Sequence, residues 1–126
     1  MSSTRITVRG EFSDQSDFAD PKSDFRHSFE ATTNTKRVDM EGLSAATSSG
    51  TAVDLSATLS ACEQLFFRNN DSTNFVTISG QSNSVAFSLR VDAGRAVLLP
   101  DVTVGTNVTM VADTSACLCD LYAWGT

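Results

Sequence analysis

Residues 85–100 read VAFSLRVDAGRAVLLP, and this stretch decides the fold class. Apolar residues at every second position of Val85–Val91 show the period-2 pattern of a strand with one buried face. Asp92-Ala93-Gly94 is a turn signal, because glycine adopts positive φ and aspartate bonds to nearby backbone. The short apolar run Ala96–Leu99 then stops at Pro100, which cannot donate to a strand ladder. The stretch therefore predicts two short strands joined by a tight turn.

The same pattern of short strands and turns recurs along the chain. Alternating or β-rich segments occupy residues 6–12, 25–31, 38–41, 53–55, 65–67, 75–78, 85–91, 96–99, 108–112 and 117–124. Clusters of Ser, Asn, Asp and Gly separate these segments and predict turns, for example at residues 79–83. Strands spaced by roughly 8–12 residues are typical of sandwiches and barrels. The apolar run Leu65-Phe66-Phe67 predicts a strand buried on both faces. Helical periodicity is not sustained anywhere, although alanine and leucine allow a helical turn within residues 56–62.

These patterns predict an all-β fold, namely an antiparallel β-sandwich of the jelly-roll type with an N-terminal strand or arm region. The 126 residues suit a single domain, since domains commonly hold roughly 100–200 residues. Residues 1–41 hold 14 of the 24 charged residues, so we divide the domain into charged N-terminal strands or an arm (1–41) and a sandwich core (42–126). The N-terminal part is interpreted either as solvated edge strands or as an arm that contacts partner subunits.

Charge and hydropathy exclude several classes of protein. The formal net charge is −6, which argues against nonspecific binding to nucleic acid or anionic membranes, because both need a basic face. Apolar runs stay far below the roughly 18 residues of a membrane span. The first residues carry no apolar core of a signal peptide, so we expect synthesis in a cytoplasm. Serine and threonine supply 32 of 126 residues, which favours strands and turns over long helices.

The residues that could carry chemistry are few and scattered. Cys62, Cys117 and Cys119 are odd in number, and without a secretory signal we expect reduced, buried thiols. His27 is the single histidine, and we expect it to be structural or to lie at an interface, since no nucleophile or orienting group accompanies it. Its isolation also leaves the cysteines without a fourth metal ligand.

Two further groups of residues have alternative interpretations. Asp14, Asp17, Asp20 and Asp24 lack the glycine and terminal glutamate of a calcium-binding EF-hand loop, so we expect a solvated acidic loop, with a weak Ca²⁺ site as the alternative. Tyr122 and Trp124 either pack against a neighbour or stack on a sugar. We assign no catalytic, cofactor-binding or metal-binding residues, name no cofactor, and expect that the protein is not an enzyme.

Three segments together resemble a known family. Residues 65–78 (LFFRNNDSTNFVTI) contain the turn N-x-D-x-T-N-x-V, and we expect its residues Asn70–Asn74 to close a hairpin with local side-chain bonds. Residues 87–100 contain L-x-x-x-x-G-x-x-x-x-x-P. Residues 111–122 contain the strand entry A-D-T-x-A. In this order they resemble small β-sandwich virion proteins of tailed double-stranded DNA bacteriophages, described as structural, decoration or fibre-associated proteins. The resemblance covers roughly residues 38–124 and departs from the pattern at Arg95, where an acidic residue is usual.

The resemblance implies a non-catalytic structural protein of the virion. We expect a capsid decoration (cement) protein that binds and stabilises the major capsid protein shell. Its partners would be itself, as a homotrimer, and the major capsid protein or other virion proteins, with neither nucleic acid nor membrane among them. It would lie on the capsid surface after synthesis in the bacterial host cytoplasm. Two alternatives stay open: a head-fibre base, neck or tail adaptor, and a carbohydrate-binding module that uses Tyr122 and Trp124.

Overall fold

The described residues form ten strands and one short helix. A computed structural model describes residues 4–13, 21–31 and 36–126, with side chains from Lys36 onward. In chain order the elements are β1 (Thr4–Ser13), β2 (Pro21–Ala31), β3 (Lys36–Ala45), β4 (Thr51–Val53), a 3₁₀ helix (Leu55–Ala57), β5 (Cys62–Asn69), β6 (Val76–Ser82), β7 (Val85–Val91), β8 (Ala96–Pro100), β9 (Val108–Ala112) and β10 (Cys117–Gly125). The predicted all-β fold is confirmed.

Eight of these strands form two antiparallel sheets. The first sheet has the order β3-β10-β5-β8, and the second sheet has the order β4-β9-β6-β7. All neighbouring strands within both sheets are antiparallel. Buried side chains from both sheets form one hydrophobic cluster, so the sheets pack face to face. The predicted antiparallel β-sandwich is therefore confirmed.

The N-terminal strands form a sheet of their own. β1 pairs only with β2 among the described strands, in a register that places Thr4 opposite Ala31 and Val8 opposite His27. β3 belongs to the first sheet, because it pairs with β10 from Lys36 to Ala45. The boundary expected between residues 41 and 42 thus falls inside a sandwich strand.

The core follows from the alternation of side chains along the strands. Large, fully buried side chains come from both sheets, among them Leu65, Phe67 and Leu121 of the first sheet and Ile78 and Met110 of the second. β10 alternates strictly between buried and more exposed positions from its first residue to its last. Because neighbouring side chains of a strand point to opposite faces, this alternation fixes which residues lie on the outer face.

The β6–β7 hairpin corrects one predicted turn. The sequence predicted a turn over residues 79–83, but β6 continues to Ser82 and the turn consists of Asn83 and Ser84. Both turn residues have positive φ (47° and 64°), as a two-residue type I′ turn requires. Gly80 instead lies inside β6, where an added Cβ would approach the Phe87 ring to 3.2 Å. This glycine therefore makes room for an aromatic neighbour and does not form the turn.

The loop from Asn70 to Asn74 was expected to close a hairpin, and that expectation was wrong. It joins β5 of the first sheet to β6 of the second, so it crosses between the sheets. The expected side-chain bonds are present: the Asp71 carboxylate accepts hydrogen bonds from the backbone N–H of Thr73 (2.8 Å) and of Asn74 (2.5 Å). Turn chemistry thus predicted the compact loop, but it carries no information about which sheet receives the next strand.

The predicted turn at Gly94 is present. Gly94 has a φ of 72°, and the backbone N–H of Arg95 donates to the Asp92 carbonyl at 3.0 Å. A positive φ at the third residue of such a turn is the type II geometry that favours glycine. This turn also crosses between the sheets, from β7 to β8.

Candidate functional site

The outer face of the first sheet carries a cluster of large side chains that we call the aromatic strip: Phe66, Leu98, Tyr122 and Trp124. The strand register places Tyr122 of β10 opposite Phe66 of β5, and Phe66 opposite Leu98 of β8. Trp124 follows two residues after Tyr122, on the same face. All four side chains are half-buried, in contrast to the fully buried residues on the inner face.

The rings of the aromatic strip lie close to one another. The centroids of Phe66 and Tyr122 are 6.2 Å apart, with their planes tilted by 36°. The centroids of Tyr122 and Trp124 are 6.3 Å apart, with nearly parallel planes at 21°. Ring pairs at such distances attract each other weakly, so each ring restricts the motion of the next. The sheet beneath them therefore presents a pre-organised apolar surface.

Phe66 corrects the prediction made for the run Leu65-Phe66-Phe67. Leu65 and Phe67 are buried on the inner face, as expected, but Phe66 is half-buried on the outer face. An apolar run does not distinguish a strand buried on both faces from a strand that carries an exposed aromatic side chain. The sequence analysis therefore missed Phe66 as a surface residue, and its position opposite Tyr122 comes only from the strand register.

Charged residues border the aromatic strip along β3. The Tyr122 hydroxyl donates a hydrogen bond to Glu41 Oε1 at 2.7 Å. This bond, followed by burial and by the charges of Glu41, Asp120 and Asp39, raises the pKa of Tyr122 to about 12. Nearby, Arg37 forms an exposed ion pair of 2.7 Å with Asp39. The strip thus has an apolar centre and a charged rim, the arrangement usual in protein interfaces.

Asp120 of β10 continues the charged rim beside Gly42 of β3. Its carboxylate accepts hydrogen bonds from the Asn70 side chain and from the Gly42 backbone N–H at 3.0 Å, and Arg68 lies near it. Together these contacts lower the pKa of Asp120, with the Asn70 bond as the largest cause. Gly42 has a φ of 66° where the register of β3 and β10 shifts, so Asp120 stabilises a bulge in the edge strand.

The predicted state of the cysteines is confirmed. Cys62, Cys117 and Cys119 are all buried, and none forms a disulfide. Burial raises the pKa of Cys62 to about 11 and that of Cys119 to about 12, and it also raises the pKa of Cys117. Neutral, buried thiols pack as small apolar groups and react slowly.

The other candidate residues lie where the structure describes no side chains. Asp14, Asp17 and Asp20 lie outside the described residues, and the side chains of Asp24 and His27, both in β2, are not described. Within the described part of the chain, histidine, cysteine, aspartate and glutamate form no group suited to hold a metal ion. No described helix is long and apolar enough to cross a membrane.

Among the described residues, two shallow clefts open at the sandwich edges. One, of about 260 Å³, lies between β7 and β8 and is lined by residues such as Leu89, Arg90 and Val97. The other, of about 300 Å³, lies beside Cys62 and Asp101. Sites for small molecules usually enclose most of the ligand, which clefts this shallow do not. The aromatic strip is therefore the stronger candidate for a functional surface.

Comparisons with known proteins identify no relative. No protein-family model, curated protein or solved structure matches the chain.

Proposed function

We propose that the protein is a capsid decoration (cement) protein of a tailed double-stranded DNA bacteriophage. It would bind the outer face of the major capsid protein shell, bridge neighbouring shell subunits and resist the outward pressure of packaged DNA. The single observation that carries the proposal is the aromatic strip on a rigid sheet face. Tyrosine and tryptophan are enriched among residues that dominate binding energy, and a charged rim surrounds them here.

Other parts of the proposal follow from the resemblance. The chain would act as a homotrimer and remain on the virion surface after synthesis in the host cytoplasm. Residues 1–126 would form one domain. The paired strands β1 and β2, which we call the N-terminal hairpin, would supply arm contacts. The net charge of −6 favours an outer position, away from the genome. The proposal names binding as the only activity, so it assigns no catalytic residue and no cofactor.

We further propose that the sandwich is a jelly roll. Eight strands in two sheets with Greek-key connections define that architecture. The orders β3-β10-β5-β8 and β4-β9-β6-β7 support it, because the first strand of each sheet lies beside the last strand of the same sheet. Such an order brings strands that are distant in sequence together, which suits a rigid scaffold.

A binding experiment with purified undecorated shells tests the proposal. Co-sedimentation with the shells measures the binding directly and needs no fluorescence signal, to which the shell protein would also contribute. We expect saturable binding of the wild-type protein to the shells. The Trp124→Ala substitution should weaken this binding at least tenfold, as measured by co-sedimentation. Leu118→Ala is the matched control, since Leu118 lies on the same face of β10 outside the strip and is 57% exposed. Absence of binding to shells would contradict the decoration function.

The position within the virion needs a separate measurement. A head-fibre base, neck or tail adaptor would occur in few copies per particle, whereas a decoration protein occurs in hundreds. Quantitative gel analysis of purified virions distinguishes these roles.

A carbohydrate-binding module is the second candidate function. The nearly parallel rings of Tyr122 and Trp124, with Glu41 at hydrogen-bonding distance of the former, favour it as a platform for a sugar. A glycan array with wild-type protein and Trp124→Ala tests this function. Binding of a glycan that the substitution abolishes would support the module, and an array without binding would exclude it for the sugars tested.

A further inference from the structure

The β7 strand is an edge of the second sheet that lacks the usual protection. β7 pairs with β6 on one side, and no described strand pairs with its other side. The other three sandwich edges are protected: β3 carries several charges and a bulge, β4 has 3 residues, and β8 ends at Pro100. Charges, bulges, prolines and shortness are the devices that prevent edge-to-edge pairing. β7 has 7 residues and carries one charge, Arg90.

Three residues of β7 direct their backbone N–H and C=O groups to this edge, where no described strand pairs with them. Ser82 and Val85 flank the two-residue turn, so they form a hydrogen-bonded pair, and alternate pairs beyond them do the same. The backbone N–H of Thr103 donates to the Gln81 carbonyl, so this carbonyl points away from β7. Its direction agrees with the alternation of pairs, in which Gln81 and Ala86 do not bond to each other. Hence the N–H and C=O groups of Ala86, Ser88 and Arg90 point away from β6.

The same edge exposes apolar side chains that belong to the inner face of the sheet. Val85 is 69% exposed and Leu89 is 37% exposed. Leu89 lines the cleft between β7 and β8 together with Val97, which is half-buried. The sandwich is therefore open on this side, and a strand added to β7 would cover its apolar interior.

We propose that a second copy of this chain pairs with β7, antiparallel and about a two-fold axis at Ser88. The sequence of β7 is self-complementary in this register. Val85 meets the partner's Val91, and Phe87 meets the partner's Leu89, so every pair on the inner face is apolar. Ala86 and Ser88, the free-edge residues, meet the partner's Arg90 and the partner's Ser88.

Charge also fits this register. Arg90 lies opposite the partner's Ala86, which separates it from the partner's Arg90 by four residues, or about 13 Å. Like charges therefore do not oppose each other, which would be destabilising in a strand pair. Each Arg90 already holds Asp92 at 2.6 Å, so the added ladder leaves no arginine without a counter-charge.

The pairing uses the same patch on both copies, so it joins chains in twos. It is distinct from the threefold association proposed above, and neither contact depends on the other. A chain that used both contacts would assemble in multiples of six.

Sedimentation velocity and light scattering of the full chain test the pairing, up to about 1 mM where weak association becomes visible. The Ser88→Pro variant removes one N–H at the free edge and spares the ladder to β6, so it should halve the molar mass of the assembly. Ser88→Ala keeps that N–H and should leave the mass unchanged. Val85→Lys places a charge in the apolar pairs at a position that is exposed in the single chain, and it should weaken association at least tenfold.

Amide hydrogen exchange, resolved by NMR, gives a second test that does not depend on a variant. The N–H groups of Ala86, Ser88 and Arg90 should gain protection as concentration rises, while the alternate amides are protected at all concentrations. Wild-type protein with an odd number of chains, or an assembly that survives both Ser88→Pro and Val85→Lys, would overturn the proposal. Protection that appears only when capsid shells are added would assign the edge to a virion protein and exclude self-pairing.

Discussion

At the scale of single residues, Tyr122 links the aromatic strip to its charged rim. It is the single tyrosine of the chain, so the ultraviolet absorbance of phenolate reports this residue alone. We expect a titration midpoint near pH 12, well above the usual value of about 10. Glu41→Gln removes the charge but keeps an acceptor and should lower the midpoint, and Glu41→Ala should lower it further.

The shift in the pKa of Tyr122 also makes the free energy of unfolding depend on pH. Folding raises the pKa of Tyr122, so its stabilising contribution is complete below pH about 10 and is lost as the pH rises through 12. Asp101→Asn is the matched control for the Glu41 variants. Asp101 does not contribute to the pKa shift of Tyr122, and its φ of 47° suits asparagine. A midpoint near 10 in the wild-type protein, with the fold intact by circular dichroism, would contradict the Tyr122–Glu41 bond.

The buried cysteines give a second prediction at this scale. In native protein near neutral pH the three thiols should react slowly with a chromogenic disulfide reagent, because burial keeps them protonated. In denaturant all three should react at once. Leu118→Cys provides the comparison, since this position lies between Cys117 and Cys119 and is 57% exposed. Native thiols that react as fast as the one introduced at position 118 would show that β10 does not bury its inner face.

At the scale of elements, the crossover from β5 to β6 depends on Asn69. Its side-chain Nδ2 donates to the carbonyls of Asn74 (2.9 Å) and Val91 (3.1 Å), and its Oδ1 accepts from the Asp71 N–H (3.0 Å). Asn69 is the buried polar residue of the described core, and it joins two loops that both cross between the sheets. Its bonds therefore hold the two sheets together at one end.

Asn69→Ala should destabilise the fold by about 2–3 kcal/mol, because buried carbonyls lose their donors. Urea unfolding followed by Trp124 fluorescence measures the change. Ser72→Ala, in the same loop but exposed and with only a 3.4 Å contact to Thr73, should stay within about 0.5 kcal/mol of the wild type. Equal stability of the two variants would refute the role given to Asn69.

At the scale of the whole molecule, local sequence predicted strands far better than their partners. The Val85–Val91 and Val108–Ala112 patterns match the bounds of β7 and β9 residue for residue, because neighbouring side chains of a strand point to opposite faces. Pairing depends on contacts distant in the chain, so the Asn70–Asn74 crossover was mistaken for a hairpin. The aromatic strip was predicted in part: Tyr122 and Trp124 stood out by residue type, whereas Phe66 joined them only through the register of β5 and β10.

Contacts distant in the chain also decide at which residue the sandwich begins. The charge pattern placed a boundary after residue 41, but β3 starts at Lys36, buries Val38 and supplies Glu41 to Tyr122. Both sandwich sheets consist of strands β3 to β10. A chain of residues 36–126 therefore contains every strand of both sandwich sheets, and a chain of residues 42–126 lacks most of one edge strand.

We predict that residues 36–126 fold with a free energy of unfolding within about 1 kcal/mol of the full chain, since they contain every strand of both sandwich sheets. Residues 42–126 should lose several kcal/mol, because removal of residues 36–41 of β3 exposes β10 and its buried neighbours. Urea unfolding of the three chains, followed by Trp124 fluorescence, measures the difference. If residues 36–126 fail to fold while the full chain is stable, the N-terminal hairpin is part of the sandwich core and the division at β3 is wrong.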